Sequence, residues 1–434
     1  MRRRGLTLGA LLAVVGPGLL AGLSDDDPAG ITTYSVLGAS HGYQLLWVLL
    51  LSTVALVMFH ALAARMGVVT GQGLVGLVRQ RFGVRGGGLI LMTLVVANMG
   101  TTCAEFAGLA AGFELFGVSR YLSVPVAAIT VSLLVLRGSF HRVEHFLLLL
   151  STVFLAYVAS GVLAGPDWGA AVEGLVIPTM PIDRATIAIV TATVGTTLAP
   201  WGLAFIQSYA VDKKLRTQDL ALERVDVVTG ALLTGVIGFF VVVACAATLH
   251  REGRPITDAT DAAVALEPLA GNAAATLFAV GLIGAALLAA SLLPLSTAYS
   301  VCEYAGTEAA LDDAYGDAKV FYVTFGLVTT VGAAAVMIPG APLVTILVAT
   351  QILNAVLLIP MLIFMIRLGR DADLRGGSRL VRSRRGATDS LPLSCWHALP
   401  HLQYPSPSDS CVVNRRAQGS PPPAAGYRAS SRAP

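Results

Sequence analysis

Charge is scarce in this chain. Asp, Glu, Lys and Arg make up only 13% of its 434 residues, against 55% hydrophobic residues, and the mean hydropathy is +0.74. A water-soluble domain carries about 25% charged residues, so the composition excludes one and describes an integral membrane protein. Cysteine is nearly absent too. Cys103, Cys245 and Cys302 fall in apolar runs, Cys395 and Cys411 in the last stretch, and none has CxxC spacing, so neither a disulfide framework nor a thiolate metal centre is supported. No phosphate-binding glycine loop, nucleophile elbow or HExxH sequence occurs, which leaves an enzyme reading without support, and no resident cofactor is expected. The net charge is only +3, and no basic run is interleaved with aromatics, so nucleic acid is not an expected partner.

Apolar length, in contrast, is plentiful. Crossing a hydrocarbon core of about 30 Å takes about 20 apolar residues in a helix. Ten stretches meet that need and predict helical spans at 6–38, 43–64, 88–116, 121–137, 143–164, 184–210, 226–249, 273–300, 319–338 and 342–367. They are too many for a signal peptide. Basic residues gather in alternate loops: Arg2, Arg3 and Arg4 before span 1, Arg65, Arg79, Arg81 and Arg85 after span 2, Arg137 and Arg142 after span 4, and Lys213, Lys214, Arg216 and Arg224 after span 6. The positive-inside rule places those loops and both termini on the cytoplasmic side of the plasma (inner) membrane. The lipid bilayer is therefore one expected partner, and no oligomer is implied.

Spans 1 and 6 are interrupted. SDDDPAG at 24–30 and TTLAPWG at 196–202 set Pro and Gly in mid-membrane, and each opens a group of five spans. A proline lacks the N–H that the carbonyl one turn earlier would accept, and lipid tolerates such a freed carbonyl only where it lines a cavity. Matched interruptions in two halves point to an inverted-repeat transporter with its substrate at the midplane. The expected organisation is a ten-span core over 1–370, split into five-helix repeats at 1–165 and 184–368, followed by a basic, Pro/Ser-rich tail at 371–434. Asp25, Asp26 and Asp27 cannot all ionise side by side in a low dielectric without a cation or shifted pKa values. Carboxylate and carbonyl oxygens suit Mg²⁺, Ca²⁺ or Mn²⁺.

These stretches have a familiar pattern. GPGLLAGLSDDDPAGITTYSVLGASHGYQLLW (16–47) and LAARMGVVTGQGLVGLVRQRFG (62–83) resemble the first span, and the second span with its following loop, of the NRAMP family of divalent-metal transporters, and the likeness runs over about residues 5–370. The resemblance implies an all-α membrane protein with the leucine-transporter-type 5+5 inverted repeat, helices 1 and 6 interrupted. It makes Asp27 the metal-binding carboxylate, joined by the Ser24 carbonyl, the Thr196 carbonyl and Gln351 of VATQILNAVLLIP.

Departures from the family's motifs bear on the substrate. Where the family has D-P-G-N this chain has Gly30 for the asparagine, and where it has M-P-H this chain has Ala199 and Trp201 for the methionine and histidine. Losing the thioether and the amide leaves hard oxygen ligands, and the small Gly30 and Ala199 are expected to add volume, which favours a partly hydrated Mg²⁺. TTLAPWG, FIQSYAVDK and LPLSTAYSV also resemble the NRAMP-related magnesium transporter branch. The family's span-3 acidic pair is reduced to Thr102 and Glu105, and no histidine remains at 201. The expectation is import of Mg²⁺ with Mn²⁺ as transported substrate, by alternating access and without proton coupling. Three alternatives stand beside it: a proton-coupled Mn²⁺/Fe²⁺ importer, an organic-solute transporter sharing the fold, and a non-transporting metal sensor or scaffold.

Other residues receive plainer readings. Asp26 is a second-layer or entry carboxylate, Glu105 a polar wall of the inner path, Asp25 a helix-end charge, and Trp201 a filler of the vacated histidine volume. Thr297 and Tyr299 are candidates for hydrogen bonds across span 8. His60, His141 and His145 are placed near span ends or in loops as structural residues. The segments 250–272 and 303–319 are expected as solvated loops with short surface helices. After residue 370 the composition turns to Arg, Ser and Pro, which predicts disorder. That ending is what a shifted reading frame or a truncated gene product would leave, with a basic juxtamembrane contact to anionic lipid as its functional alternative.

Overall fold

A computed structural model of the chain describes residues 21–22, 24–136, 155–257, 259–307 and 318–370, and among them the regular structure is all helical. In chain order the helices are α1 (Pro28–His41), α2 (Leu46–Thr70), α3 (Leu74–Glu114), α4 (Arg120–Leu136), α5 (Ala156–Leu163), α6 (Trp168–Val176), α7 (Arg184–Thr197), α8 (Pro200–Asp212), α9 (Leu220–Cys245), α10 (Ala259–Ala263), α11 (Glu267–Ala270), α12 (Ala274–Ala305), α13 (Lys319–Val336) and α14 (Leu343–Arg370). Seven helical stretches among the described residues are long and apolar enough to cross a membrane, Arg184–Asp212 being counted as one across the break between α7 and α8; α4 is a shorter apolar helix. Much of expected span 5, the start of span 1, His141, His145 and the tail from 371 lie outside the described residues.

The bundle is apolar outside and polar within. Leu51, Val54 and Met58 on α2, and Val323 and Leu327 on α13, are exposed at helical spacing, while Asp25, Asp26, Glu105 and Gln207 are buried. Water would select the reverse arrangement; hydrocarbon selects this one, since each polar group must find its partner inside. Lipid supplies no hydrophobic drive between helices, so close approach depends on small residues. A Cβ on Gly195 of α7 would overlap the Gln351 carbonyl of α14, and one on Gly67 of α2 would overlap the Gln207 carbonyl of α8.

Several elements differ from expectation. Helix α3 begins at Leu74 and not near 88, because Leu74, Val75, Leu77 and Val78 bury an apolar stripe, and Gly83, at φ 78°, lets the chain turn from this entry segment into the span. Within 250–272, Ala262, Ala263, Ala265 and Leu266 are buried, and Ser160 Oγ donates to the Ala265 carbonyl at 2.6 Å. The run DAAVAL thus packs as a cover over α5, and is not a solvated loop. Glu303 and Tyr304 are likewise the half-buried last turn of α12 and not loop, with 308–317 outside the described residues. His60 sits in the middle of α2, fully buried, and not near a span end.

Candidate metal site at the two helix breaks

Local chemistry builds both breaks in the same way. The helix leading to Asp25 stops, Asp26 and Asp27 bend, and Asp27 turns extended (φ −77°, ψ 170°) to become the N-cap of α1. Its Oδ1 accepts the Gly30 N–H at 2.5 Å, the bond that short acidic caps make to the first turn of a helix. Pro28 begins α1, where its missing N–H costs nothing to the new helix but leaves the Ser24 carbonyl without its helical donor. Helix α7 ends at Thr197, Leu198 and Ala199 carry the chain across, and α8 restarts at Pro200, which deprives the Thr196 carbonyl in the same way. The hydroxyls of Tyr34 and Thr197 meet at 2.9 Å and tie α1 to α7.

Oxygen atoms from both breaks converge on Gly30. A Cβ built there would lie 2.7 Å from the Asp25 carbonyl, 3.2 Å from Asp27 Oδ1 and 3.2 Å from Thr196 Oγ1. Gly30 therefore adds no empty volume, contrary to the sequence expectation: the neighbouring oxygens have closed over the position. The atom that Thr196 brings to this point is its hydroxyl oxygen. Glu105 of α3 is fully buried with Asp27 among its charged neighbours, and neither of its oxygens has a hydrogen-bond partner among the described residues. Gly108, one turn along α3, allows this approach, since a Cβ there would overlap the Pro28 ring.

Gln351 of α14 is buried beside Gly195, next to Thr196. Its Oε1 accepts from Asn354 Nδ2 at 2.9 Å, and its Nε2 has no partner among the described residues. Ser24 is buried with an unpartnered hydroxyl, and Asp26 is buried with both oxygens unpartnered. Ala199, at the N-cap of α8, is buried and offers no side-chain cap. Trp201 packs in the core, its ring 6.0 Å from that of Phe205, while its carbonyl accepts from Ser296 Oγ at 3.3 Å. Thr102 lies against Gly332 of α13 and donates to the Asn98 carbonyl at 2.7 Å. Asp25 is not a solvated helix-end charge: it is 1% exposed, with neither carboxylate oxygen partnered. No group of three or more His, Cys, Asp and Glu converges on a metal-sized position among the described residues. The donor set at Gly30 is instead carboxylate mixed with carbonyl and hydroxyl oxygen.

Polar contacts bridge the bundle at both ends. At the end carrying Arg65 and Lys213, Glu303 of α12 accepts from Ser208 Oγ of α8 at 2.5 Å and from Val75 N of α3 at 3.2 Å, while Tyr299 OH donates to Asp212 Oδ2 at 2.9 Å. At the opposite end His41 Nε2 and Thr186 Oγ1 meet at 2.9 Å, and Trp47 Nε1 donates to the Thr179 carbonyl at 3.1 Å. Asp183 caps α7 there; hydrogen bonds from the Thr186 hydroxyl and backbone hold its carboxyl below the usual carboxylate range. Thr297 and Tyr299 both bond across helices, Thr297 accepting from Asn98 Nδ2 at 2.9 Å. Sequence reasoning missed the amides Asn98 and Asn354; the signal was an isolated amide inside an apolar span, which lipid tolerates only against another polar group.

Two helices broken at corresponding places, an apolar outer surface and oxygen donors buried at the breaks define a membrane transporter of the inverted-repeat type, not an enzyme. The fold matches a manganese transporter from Eremococcus coleocola with a TM-score of 0.69 at 18% identity, over 88% of this chain and 85% of that one. It also matches Mhp1, a nucleobase-cation-symport-1 family transporter, with a TM-score of 0.52 at 16% identity, over 76% and 74%. The profile of the family described as natural resistance-associated macrophage protein-like, NRAMP, matches residues 18–386, and the chain belongs to that family. Proteins named divalent metal cation transporter MntH are 30% identical over 292 residues in Burkholderia ambifaria, 65% of this chain and 66% of that protein, and 30% identical over 285 residues in Yersinia pestis strain Pestoides F, 64% and 69%. The chain thus spans about two thirds of the length of these relatives.

Proposed function

We propose that this protein imports divalent metal cations, Mg²⁺ together with Mn²⁺, by alternating access and without moving protons. The convergence of oxygen donors on Gly30 from both broken helices carries the reading. Asp27 supplies the charge, the Ser24 and Thr196 carbonyls and the Gln351 amide complete an oxygen set, and Ala199 leaves out a soft sulfur ligand. Mg²⁺ sheds its water reluctantly and is usually held by one or two carboxylates, which fits Asp27 with Glu105 behind it. The membrane potential supplies the drive, since two charges gain about 4.6 kcal/mol per 100 mV. The five-helix repeats at 1–165 and 184–368, with both termini on the cytoplasmic side, belong to the same proposal.

A second reading is a proton-coupled Mn²⁺ importer. One observation favours it: Glu105 is fully buried with Asp27 among its charged neighbours, and two neighbouring buried carboxyls do not both ionise without a cation or a proton to share. Proteoliposomes loaded with a Mg²⁺-sensitive dye and a pH dye separate the two. Mg²⁺ entry driven by a valinomycin potential with constant internal pH is the expected result; Mn²⁺ entry with acidification and no Mg²⁺ signal would overturn it in favour of coupling.

The bonds at the basic end yield a further expectation. Glu303→Ala removes two of the hydrogen bonds that fasten α12 to α3 and α8. Spin labels on the first turn of α3 and the last turn of α8 are expected to show a longer, broader distance distribution by pulsed EPR than in the parent chain. An unchanged distribution would mean that Glu303 does not hold this end closed.

A further inference from the structure

The Asp27 region leaves one pair of buried groups unexplained. His60 is fully buried at the middle of α2, and neither ring nitrogen has a hydrogen-bond partner among the described residues. Asp25 is 1% exposed with both carboxylate oxygens equally unpartnered. They face the same place. A Cβ built on Gly202, two residues after Pro200 in α8, would lie 3.3 Å from His60 Nε2 and 3.7 Å from Asp25 Oδ1. The missing side chain of Gly202 thus leaves a gap between an imidazole and a carboxylate, at the start of α8 and the end of the helical turn before α1.

Burial of unpaired polar groups is costly, and an imidazole with a carboxylate across a gap is a donor pair that a divalent metal satisfies. Imidazole suits Zn²⁺, Fe²⁺, Ni²⁺ and Co²⁺ and disfavours Mg²⁺, which prefers oxygen. We infer that Asp25 and His60 form a second, transient cation position selective for transition metals over Mg²⁺, separate from the donors at Gly30. Asp25 joins the two places: its carbonyl faces Gly30 and its carboxylate faces His60. A nitrogen ligand is thereby available on the path although Trp201 stands in the following break. The inference rests on the transport reading above, and the test separates the two.

Co²⁺ is the probe, because its visible absorption reports nitrogen ligation, and the full chain in lipid nanodiscs is the sample. The parent chain is expected to bind about two equivalents, of which a large excess of Mg²⁺ displaces one, since hard oxygen ligands favour Mg²⁺ and imidazole does not. Asp27→Asn should lose the Mg²⁺-displaceable equivalent and keep the other. His60→Gln should lose the Mg²⁺-resistant equivalent and its absorption band. Gly202→Ala keeps both side chains but fills the gap, and should lose the same equivalent with an unchanged size-exclusion profile, which a merely structural His60 and Asp25 would not explain. Retention of the Mg²⁺-resistant band in both His60→Gln and Gly202→Ala would overturn the second position. Metal uptake unaffected by Asp27→Asn, with the His60-dependent band intact, would sink the central site and leave this one standing.

Discussion

Asp27→Asn is expected to abolish voltage-driven Mg²⁺ and Mn²⁺ uptake while leaving the protein folded. The substitution keeps an oxygen that can accept the Gly30 N–H, so the cap of α1 survives. What disappears is the formal charge at the point where Asp25, Asp27 and Thr196 oxygens meet. Neutral carbonyls and hydroxyls remain, and they do not repay a divalent cation for its lost hydration. Removing one partner of a buried charge pair costs about 2–5 kcal/mol, which corresponds to roughly 30-fold to several-thousand-fold weaker binding. Uptake by dye-loaded proteoliposomes, alongside Mg²⁺ and Mn²⁺ binding by calorimetry, measures both quantities. Asp27→Ala serves as the harsher companion, since it loses charge and cap together. Parental uptake by the Asn variant would show that the charge at 27 is not what holds the ion, and the proposed site would have to move to Glu105 or Asp26.

Gly195→Val is expected to be the most damaging change to the fold. Even a methyl group at this position would overlap the Gln351 carbonyl, and the Ala355 backbone nitrogen lies 2.7 Å away. Backbone cannot step aside as a flexible side chain does, so α7 and α14 must separate where the site takes its Gln351. Overpacking a well-filled core usually costs about 1–3 kcal/mol, and an overlap with backbone belongs at or above the top of that range. Gly326→Ala on α13 is the control: nothing lies within 4 Å of its Cβ, and replacing a helical glycine by alanine gains about 1 kcal/mol. Thermal unfolding in detergent should therefore show a large fall in Tm, or loss of the monodisperse peak, for Gly195→Val and no fall for Gly326→Ala. Equal Tm values would mean that the α7–α14 crossing is looser than the geometry requires.

Much of this was legible in the sequence, and the reasons are local. Pro28 and Pro200 stand at helix starts beside polar or small residues, which let both breaks be placed, whereas Pro125, Pro294 and Pro360 stand inside α4, α12 and α14. Apolar length found the spans that the described residues cover, although the start of α3 was misplaced because a glycine at positive φ can join an amphipathic entry turn to a membrane helix without an apolar run to mark it. Asp27 Oδ1 and Thr196 Oγ1 both border the volume around Gly30, where the resemblance implied the Thr196 carbonyl. Gly30 itself was misread. A missing side chain means free volume only if nothing else moves in, and the Asp25 carbonyl had moved in.

The sequence by itself determined that this chain lives in lipid, that spans 1 and 6 break, and that carboxylates and freed carbonyls lie at the breaks, because hydropathy, proline geometry and the expense of buried charge act within a few residues. Only the tertiary structure decided which groups meet. Glu105 neighbours Asp27 because Gly108 admits Pro28; Thr102 turns instead to Gly332; and His60, which looked incidental, faces Asp25 because Gly202 leaves the space between them. Those meetings join residues from 35 (Asp25 and His60) to 230 (Thr102 and Gly332) positions apart in sequence, set by backbone approach at small residues, and no local pattern encodes the distance across such a contact.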